Sequence, residues 1–313
     1  MIRGEIMPVL EVENLSISFK QYTTGLKQRN QKVITSLNVQ LNEGEILAIV
    51  GASGSGKSLL AHAILGVLPS NAILSGSIKY AGEELNQKRL KALRGNEITL
   101  VPQSVNYLDP LMRIDRQVRT AVKNGDPKVV QRKVFERYRL KQEVERMYPF
   151  QLSGGMARRT LLATAMVSDA KVIIADEPTP GLDSNVIKEA LQNFRKFADS
   201  GCGVMIITHD IEAALTIADK IAVFYAGTTV EIAPVDDFSG SGEALRHPYS
   251  KALWRALPQN EFIPISGAQP LSSELPKGCI FAPRCENSTY ECEQAQPEMR
   301  NLRNGKVRCI HAK

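Results

Sequence analysis

The sequence predicts an α/β protein built on a mostly parallel sheet. Three observations indicate this fold class: short strings that are apolar throughout recur along the chain, helical stretches separate them, and a glycine-rich loop joins the first string to a helix. The strings are ILAIV (46–50), EITLV (97–101), KVIIA (171–175), VMIIT (204–208) and KIAVF (220–224). Strands that are apolar on both sides need helices on both faces of their sheet, and the stretches between them can supply these.

Two alternating segments and one helical segment complete the predicted core. LEVENLSISF (10–19) and VITSLNVQL (33–41) alternate apolar and polar residues, as half-buried antiparallel strands do. Between Arg113 and Met147 the charge density rises and apolar residues recur at helical spacing. We therefore expect an antiparallel β flank beside the parallel strands and an inserted α-helical subdomain at about 104–170.

Length and composition fit two domains and exclude several classes of protein. The 313 residues predict two domains at about 150 residues per domain. The 39 basic and 33 acidic residues give a net charge of +6, which suits an anionic ligand and is too small to indicate nucleic acid. No apolar string approaches the roughly 20 residues that a membrane span needs. The start, with Glu5, Pro8 and Glu11, does not resemble a secretory signal, so we expect a cytoplasmic protein.

A proline-rich stretch marks the predicted C-terminal part of the chain. Four prolines and several small polar residues lie between Pro258 and Lys277, which is typical of a linker or an irregular wrap. We predict a main domain at 1–235 and a C-terminal extension at 236–313.

The loop after the first apolar string has the phosphate-binding P-loop pattern. Glycines let such a loop curl so that its N–H groups point at one phosphate, and the next helix adds the partial positive charge of its N-terminus. Lys57 is expected to bridge the β- and γ-phosphates of a nucleotide, and the Ser58 hydroxyl to bind Mg²⁺. The loop consists of Gly51, Ala52, Ser53, Gly54, Ser55, Gly56, Lys57 and Ser58. This pattern predicts nucleotide binding.

Two acidic residues end a later apolar strand. VIIADE (172–177) places Asp176 and Glu177 at a strand end, and ligands of open α/β sheets bind beyond such ends. We expect Asp176 to contact Mg²⁺ or its water shell, and Glu177 to act as the general base that polarises the attacking water. Two acids after a strand are more often simply solvated, but the P-loop earlier in the chain favours the catalytic interpretation.

Further motifs reveal a resemblance to the ATP-binding cassette (ABC) ATPases. These motifs are LSGGM at 152–156, before the acidic strand, and THD at 208–210, after the next strand. The resemblance covers about residues 9–235 and implies that Gln103 is the Q-loop residue, which reaches Mg²⁺ and the water. It also implies that His209 is the switch histidine, which holds the γ-phosphate, and that Asp183 belongs to the D-loop.

The LSGGM motif opens a second helix with a bare N-terminus. Ser153, Gly154 and Gly155 precede the helix-like MARRTLLATAM, and such an N-terminus suits a phosphate. The family resemblance implies a head-to-tail dimer, in which each ATP lies between the P-loop of one cassette and the LSGG segment of the other. Hydrolysis to ADP and phosphate would remove the bridging contacts and let the two cassettes part.

Two shorter motifs resemble the dipeptide, oligopeptide and nickel importer branch of the family. They are HPYSKAL at 247–253 and YLDP at 107–110. This resemblance implies a subunit at the cytoplasmic face of the cell membrane, bound to a second, paralogous cassette and two permease subunits, with an extracellular solute-binding protein. Peptides, nickel and metal chelates all stay open as solutes. The alternative is a soluble cassette ATPase that acts on nucleic acid or ribosomes, although such proteins usually have two cassettes or long coiled-coil insertions.

Four of the five cysteines lie close to the C-terminus. They are Cys279, Cys285, Cys292 and Cys309. Closely paired C-x₂-C spacing, which structural zinc sites usually show, does not occur here. Four cysteines at wider spacing can bind an iron–sulfur cluster, and resemblance to the dipeptide importers favours [4Fe–4S] over Zn²⁺. Zinc and unligated thiols remain alternatives.

Overall fold

The structure is a computed structural model that describes residues 7–22 and 28–313. Twelve strands lie within these residues. They are β1 (Leu10–Tyr22), β2 (Gln28–Leu41), β3 (Ile46–Gly51), β4 (Ala72–Tyr80), β5 (Glu83–Glu84), β6 (Ile98–Val101), β7 (Val172–Asp176), β8 (Gly203–Thr208), β9 (Lys220–Tyr225), β10 (Thr228–Pro234), β11 (Arg300–Leu302) and β12 (Gly305–Val307). All five predicted apolar strings form strands, and their ends differ from the predicted ones by one residue at most.

Nine α-helices lie within the same described residues. They are α1 (Lys57–Ile64), α2 (Gln87–Leu93), α3 (Ile114–Ala121), α4 (Pro127–Arg137), α5 (Gly154–Met166), α6 (Ser184–Asp199), α7 (Ile211–Leu215), α8 (Pro248–Arg255) and α9 (Tyr290–Gln294). None of the helices in the described part of the chain combines the length and the apolar character that crossing a bilayer requires. The alternation of helices with parallel strands in the described residues confirms the predicted α/β class.

The chain divides into two compact units. The first unit comprises the described residues of 1–41, 47–85 and 209–313, and the second comprises 42–46 and 86–208. This division follows compactness alone, so the domain boundary at 235/236 stays a prediction.

The first unit contains the predicted antiparallel flank. Strand β1 pairs with β2 and with β4, both antiparallel, and Leu10 lies opposite Leu41 on one side and Tyr80 on the other. Val12 and Leu15 of β1 are buried, and the pairing register shifts between them, so both stay buried although they are three residues apart. The alternation of apolar and polar residues therefore correctly predicted these two antiparallel strands.

The first unit also contains a second group of strands. Strands β3 and β9 are parallel and buried, with Gly51 opposite Phe224, and β10 follows β9 in a tight antiparallel hairpin. The short strand β12 pairs with β10, placing Val307 opposite Glu231, and β11 pairs with β12. The C-terminal segment is thus attached to the sheet through hydrogen bonds that the sequence analysis did not predict.

Buried Arg308 fixes this C-terminal segment further. Its guanidinium donates hydrogen bonds to the backbone oxygens of Thr229 at 3.1 Å, Pro297 at 3.0 Å and Ser36 at 2.7 Å. The sequence predicts a small separate module that metal stabilises. Sheet pairing and this arginine instead attach the segment to the rest of the first unit, so a separate module is not confirmed.

The second unit contains three parallel strands and five helices. Strand β7 pairs with β6 and β8, both in parallel, and these strands are buried. Helices α3 and α4 lie in the predicted helical stretch, where Arg119 pairs with Asp115 at 2.8 Å and donates to Gln131 Oε1 at 2.8 Å. The helices are confirmed, and their status as an inserted subdomain stays a prediction.

Candidate functional site

The P-loop in the first unit wraps around its own lysine. Helix α1 begins at Lys57, directly after Gly56, and the Lys57 side chain is buried. The Lys57 ammonium donates to the backbone oxygens of Gly51 at 2.8 Å and Ala52 at 3.0 Å. The positive charge and the helix N-terminus therefore lie at the same loop, the arrangement that binds phosphate in proteins.

Two glycines of the loop are required by its backbone. Gly56 has a φ of +94°, where residues with a side chain are strained, and a Cβ there would approach Ile34 Cγ1 to 3.1 Å. A Cβ at Gly51 would overlap the backbone oxygen of Phe224 on the neighbouring strand β9. The glycine spacing in the sequence thus reflects a loop that is curled and pressed against the next strand.

Residues outside the motif support the loop from behind. The N–H of Gly227, in the β9–β10 turn, donates to the backbone oxygen of Ser55 at 3.1 Å. Burial raises the pKa of Tyr249 to about 12, and a hydrogen bond with the backbone of Ala52 opposes this rise. In the sequence Tyr249 stands out only as part of the HPYSKAL motif, which does not predict its contact with the P-loop. The motif itself was the available signal.

The two acidic residues of the second unit lie where the sequence predicts them. Asp176 is the last residue of β7, Glu177 follows it, and both are buried. Glu177 has a φ of +47°, and its N–H donates to the backbone oxygen of Ile207 at 2.8 Å. The Thr208 hydroxyl lies 3.5 Å from Glu177 Oε2. Strand β8 therefore binds the backbone of Glu177 and places the Thr208 hydroxyl beside its carboxylate.

The backbone of Gln103, the residue predicted for the Q-loop, and an unpredicted arginine lie close to the backbone of Glu177. Gln103 lies just after β6 and is exposed. One terminal nitrogen of Arg158 donates to the backbone oxygen of Glu177 at 2.7 Å, and the other donates to that of Gln103 at 2.8 Å. Arg158 is not among the site residues that the sequence predicts. The only signal was its place two residues after LSGGM, in the helix that this motif opens.

The LSGGM segment caps helix α5 and lies next to the predicted D-loop. The Ser153 hydroxyl accepts a hydrogen bond from the N–H of Met156 at 3.3 Å, and Ser153 and Gly154 are exposed. A Cβ built at Gly155 would lie 3.5 Å from the backbone oxygen of Gly181. The serine and the helix N-terminus are therefore presented on the surface of the second unit, as a phosphate contact requires.

Asp183 and His209 have different environments from those of the acidic pair. Asp183 is the N-cap of α6 and accepts from the N–H of Val186 at 3.1 Å, which is a structural role. His209 belongs to the first unit, follows β8 and is exposed. The structure thus groups His209 with the P-loop in one unit, and Gln103, Ser153, Gly154, Gly155, Asp176, Glu177 and Asp183 in the other.

The four C-terminal cysteines line one pocket in the first unit, together with His247 and Phe281. Burial raises the pKa values of Cys279 and Cys285, and the neighbouring thiols of Cys292 and Cys309 raise both further. Nevertheless, across residues 7–22 and 28–313 no group of three or more His, Cys, Asp or Glu side chains could hold a metal ion. The arrangement of side chains therefore does not support the predicted metal site. A single zinc ion fits poorly, because zinc needs all its ligands within bonding distance.

Comparisons with known families and structures agree with these motifs. The family described as ABC transporter matches residues 34–180, and the family described as oligopeptide/dipeptide transporter, C-terminal region, matches residues 230–292. A dimeric ATP-binding cassette, MJ0796, in a post-hydrolysis state bound to ADP and Pi has a TM-score of 0.63 and 24% identity. It covers 72% of this chain and 98% of its own, and at this identity the likeness shows the fold alone.

Several curated relatives are similar to this chain over nearly its whole length. The oligopeptide transport ATP-binding protein AppD of Bacillus subtilis (strain 168) is 31% identical and covers 96% of both chains. OppD of Haemophilus influenzae, with the same description, is 32% identical with the same coverage. A protein of Brucella abortus (strain 2308) is 35% identical over 96% of this chain and 94% of its own, and its name likewise describes peptide import. The chain therefore belongs to the ABC transporter family, as an ATPase with the oligopeptide-type C-terminal region.

Proposed function

We propose that this chain hydrolyses ATP to power an importer of peptides. The observation that carries the proposal is the match of residues 230–292 to the C-terminal region of oligopeptide and dipeptide transporters. Relatives that are similar over almost the whole chain have names that describe oligopeptide transport. Nickel and metal chelates, which the sequence left open, receive no comparable support.

Different side chains have different roles in the proposed hydrolysis of ATP. Lys57 and the P-loop N–H groups bind the phosphates, and His209 holds the γ-phosphate. Glu177 takes a proton from water as the water oxygen bonds to the γ-phosphorus, while the bond from that phosphorus to the ADP oxygen breaks. The chemistry of the hydroxyl of Ser58, the carboxylate of Asp176 and the amide of Gln103 suits Mg²⁺, which prefers oxygen ligands and neutralises phosphate charge.

A second cassette is proposed to complete each nucleotide site. Ser153 and the N-terminus of α5 are exposed, and they are offered to the ATP of a partner cassette in the head-to-tail arrangement that the family resemblance implies. Asp183 of the D-loop belongs to the same contact. We propose a paralogous partner, so that the assembly contains two different cassettes.

The remaining proposed partners belong to the membrane. Peptide import requires two permease subunits and an extracellular solute-binding protein, and the chain would act as a peripheral subunit at the cytoplasmic face of the membrane. The alternative of a cassette that acts on nucleic acid or ribosomes has no support from the relatives, whose names describe peptide transport.

For the cysteine pocket we propose a [4Fe–4S] cluster. The support is that all four thiols line one pocket of the first unit. Each cysteine of such a cluster binds a different iron, so the four sulfur atoms need not converge on one point. The cluster would have a structural role.

The importer proposal is tested with the full chain assembled with its membrane subunits and solute-binding protein. A mixture of short peptides is expected to raise the rate of ATP hydrolysis, because closing of the cassettes is coupled to delivery of the solute. Single-stranded RNA and Ni²⁺ are the matched alternatives and are expected to leave the rate unchanged. Stimulation by RNA, or by Ni²⁺ without peptide, would contradict the proposal.

A further inference from the structure

Arg158 connects three segments of the second unit. It lies in α5, the helix that begins at the LSGGM segment. One of its terminal nitrogens donates to the Glu177 backbone oxygen at 2.7 Å, and the other donates to the Gln103 backbone oxygen at 2.8 Å. A planar guanidinium with a fixed fork of donors holds two carbonyls at a defined separation, which a single ammonium does not do.

The carbonyl of Glu177 belongs to an unusual stretch of backbone. Glu177 has a φ of +47°, a left-handed backbone conformation that residues other than glycine rarely adopt. Such backbone strain persists only where the surrounding structure enforces it. Its N–H is bound to the Ile207 oxygen at 2.8 Å. Arg158 binds its carbonyl on the other side, so the residue is held in this conformation by contacts from two elements.

The positive charge of Arg158 also interacts with the carboxylate of Glu177. Burial lowers the pKa of the guanidinium, and the nearby Glu177 charge opposes that change. An arginine stays protonated under these conditions, so a positive charge lies near Glu177 independently of any nucleotide.

We propose that Arg158 is a positioning residue for ATP hydrolysis: through the two backbone carbonyls it fixes the directions in which Glu177 and Gln103 project, and it links both to the LSGGM helix. A shift of α5 on capture of a nucleotide at Ser153 then moves the carbonyl anchors of both residues. This inference rests on the proposed roles of Glu177 and Gln103.

The test uses the full chain assembled with its membrane subunits. Arg158→Met keeps most of the side-chain volume and removes both donors. We expect kcat for ATP hydrolysis to fall by about 10-fold to 100-fold, because small misplacements of catalytic groups cause losses of this size. The KM for ATP, the directly measured affinity for ATP and the melting temperature are expected to stay at the parent values, because Arg158 does not hold the nucleotide.

Two further variants show whether the effect is specific. Arg195→Met is the matched control, because Arg195 is also partly buried and donates to a backbone oxygen, that of Gly44 at 3.1 Å. It is expected to keep the parent kcat. Arg158→Lys keeps the charge and is expected to recover part of the kcat that Arg158→Met loses. If Arg158→Met does not fold, Arg158→Lys alone serves, with a lower kcat at unchanged KM and melting temperature as the expected result.

The outcomes separate this inference from the proposed function. A parent kcat in Arg158→Met, beside a hydrolytically inactive Glu177→Gln, would overturn the role of Arg158 and leave the proposed function intact. Hydrolysis by Glu177→Gln at the parent rate would instead overturn the proposed function. A loss of kcat in Arg158→Met that appears equally in Arg195→Met, or that comes with a lower melting temperature, would show a merely structural role and would also overturn the inference.

Discussion

The P-loop and the cysteine pocket both belong to the first unit, and they are built in opposite ways. The P-loop is eight consecutive residues, and its lysine contacts backbone oxygens of its own loop. The cysteine pocket collects Cys279, Cys285, Cys292 and Cys309 with residues from other turns of the C-terminal segment. A contiguous motif specifies the geometry of its site, whereas dispersed residues specify only which chemical groups are available.

The cysteine pocket gives the largest expected effect, because the proposed cluster is either present or absent. Full chain prepared without oxygen is expected to contain about four iron and four sulfide per chain, and little zinc. Cys285→Ser is expected to lose most of that iron, since it removes one ligand of the proposed cluster. The measurement is metal and acid-labile sulfide analysis, with the visible absorption spectrum.

Cys202→Ala is the matched control for this experiment. Cys202 is buried in the second unit, its pKa is raised to about 12 by that burial, and it is not among the pocket residues. It should leave the iron content unchanged. Stoichiometric zinc, or metal-free protein of full stability, would contradict the cluster and leave the pocket as a set of packed thiols.

The pH dependence of stability sharpens the comparison from the same pocket. His247 is buried, its Nδ1 accepts from the N–H of Tyr249 at 3.0 Å, and burial, aided by the charge of Arg308, lowers its pKa to about 3. The backbone N–H of His247 donates to Glu231 Oε2 at 2.8 Å. The unfolded chain, with a histidine pKa of about 6.5, binds a proton that the folded chain does not bind between about pH 3 and 6.5.

The contribution of His247 to stability is therefore complete above about pH 6.5 and is lost as the pH falls toward 3. At pH 5 we expect it to lower the free energy of unfolding by about 2 kcal/mol relative to pH 7.5. His247→Asn keeps an acceptor for the Tyr249 N–H and removes the titration, so its urea-unfolding free energy should fall less over this range. An equal fall in the variant and the parent would show that other groups cause the acid sensitivity.

Much of the fold could be predicted because its signals are local. The five strings of apolar residues became strands, and the P-loop and acidic strand ends lie where the sequence places them. The pairing of β12 with β10 could not be predicted, because a strand of three residues has too little periodicity. Its partner lies about 75 residues away along the chain.

The residues missed in the candidate site share one property. Arg158 and Tyr249 act through backbone groups of residues distant in sequence, and a hydrogen bond to a carbonyl or an N–H imposes no pattern on the residue types around it. Asp183 shows the converse, since its motif predicts a functional loop and the structure gives it an N-cap role as well. Side chains that act on backbone are thus visible only once the fold is known.

The most direct test of the account compares Glu177→Gln with the parent in the full chain assembled with its membrane subunits. The amide is similar in size to the carboxylate but does not take a proton from water. We expect the affinity for ATP with Mg²⁺ to persist, while the single-turnover rate of hydrolysis falls by at least about 100-fold. Hydrolysis at the parent rate would show that another group prepares the water, and the assignment of the catalytic strand end would be wrong.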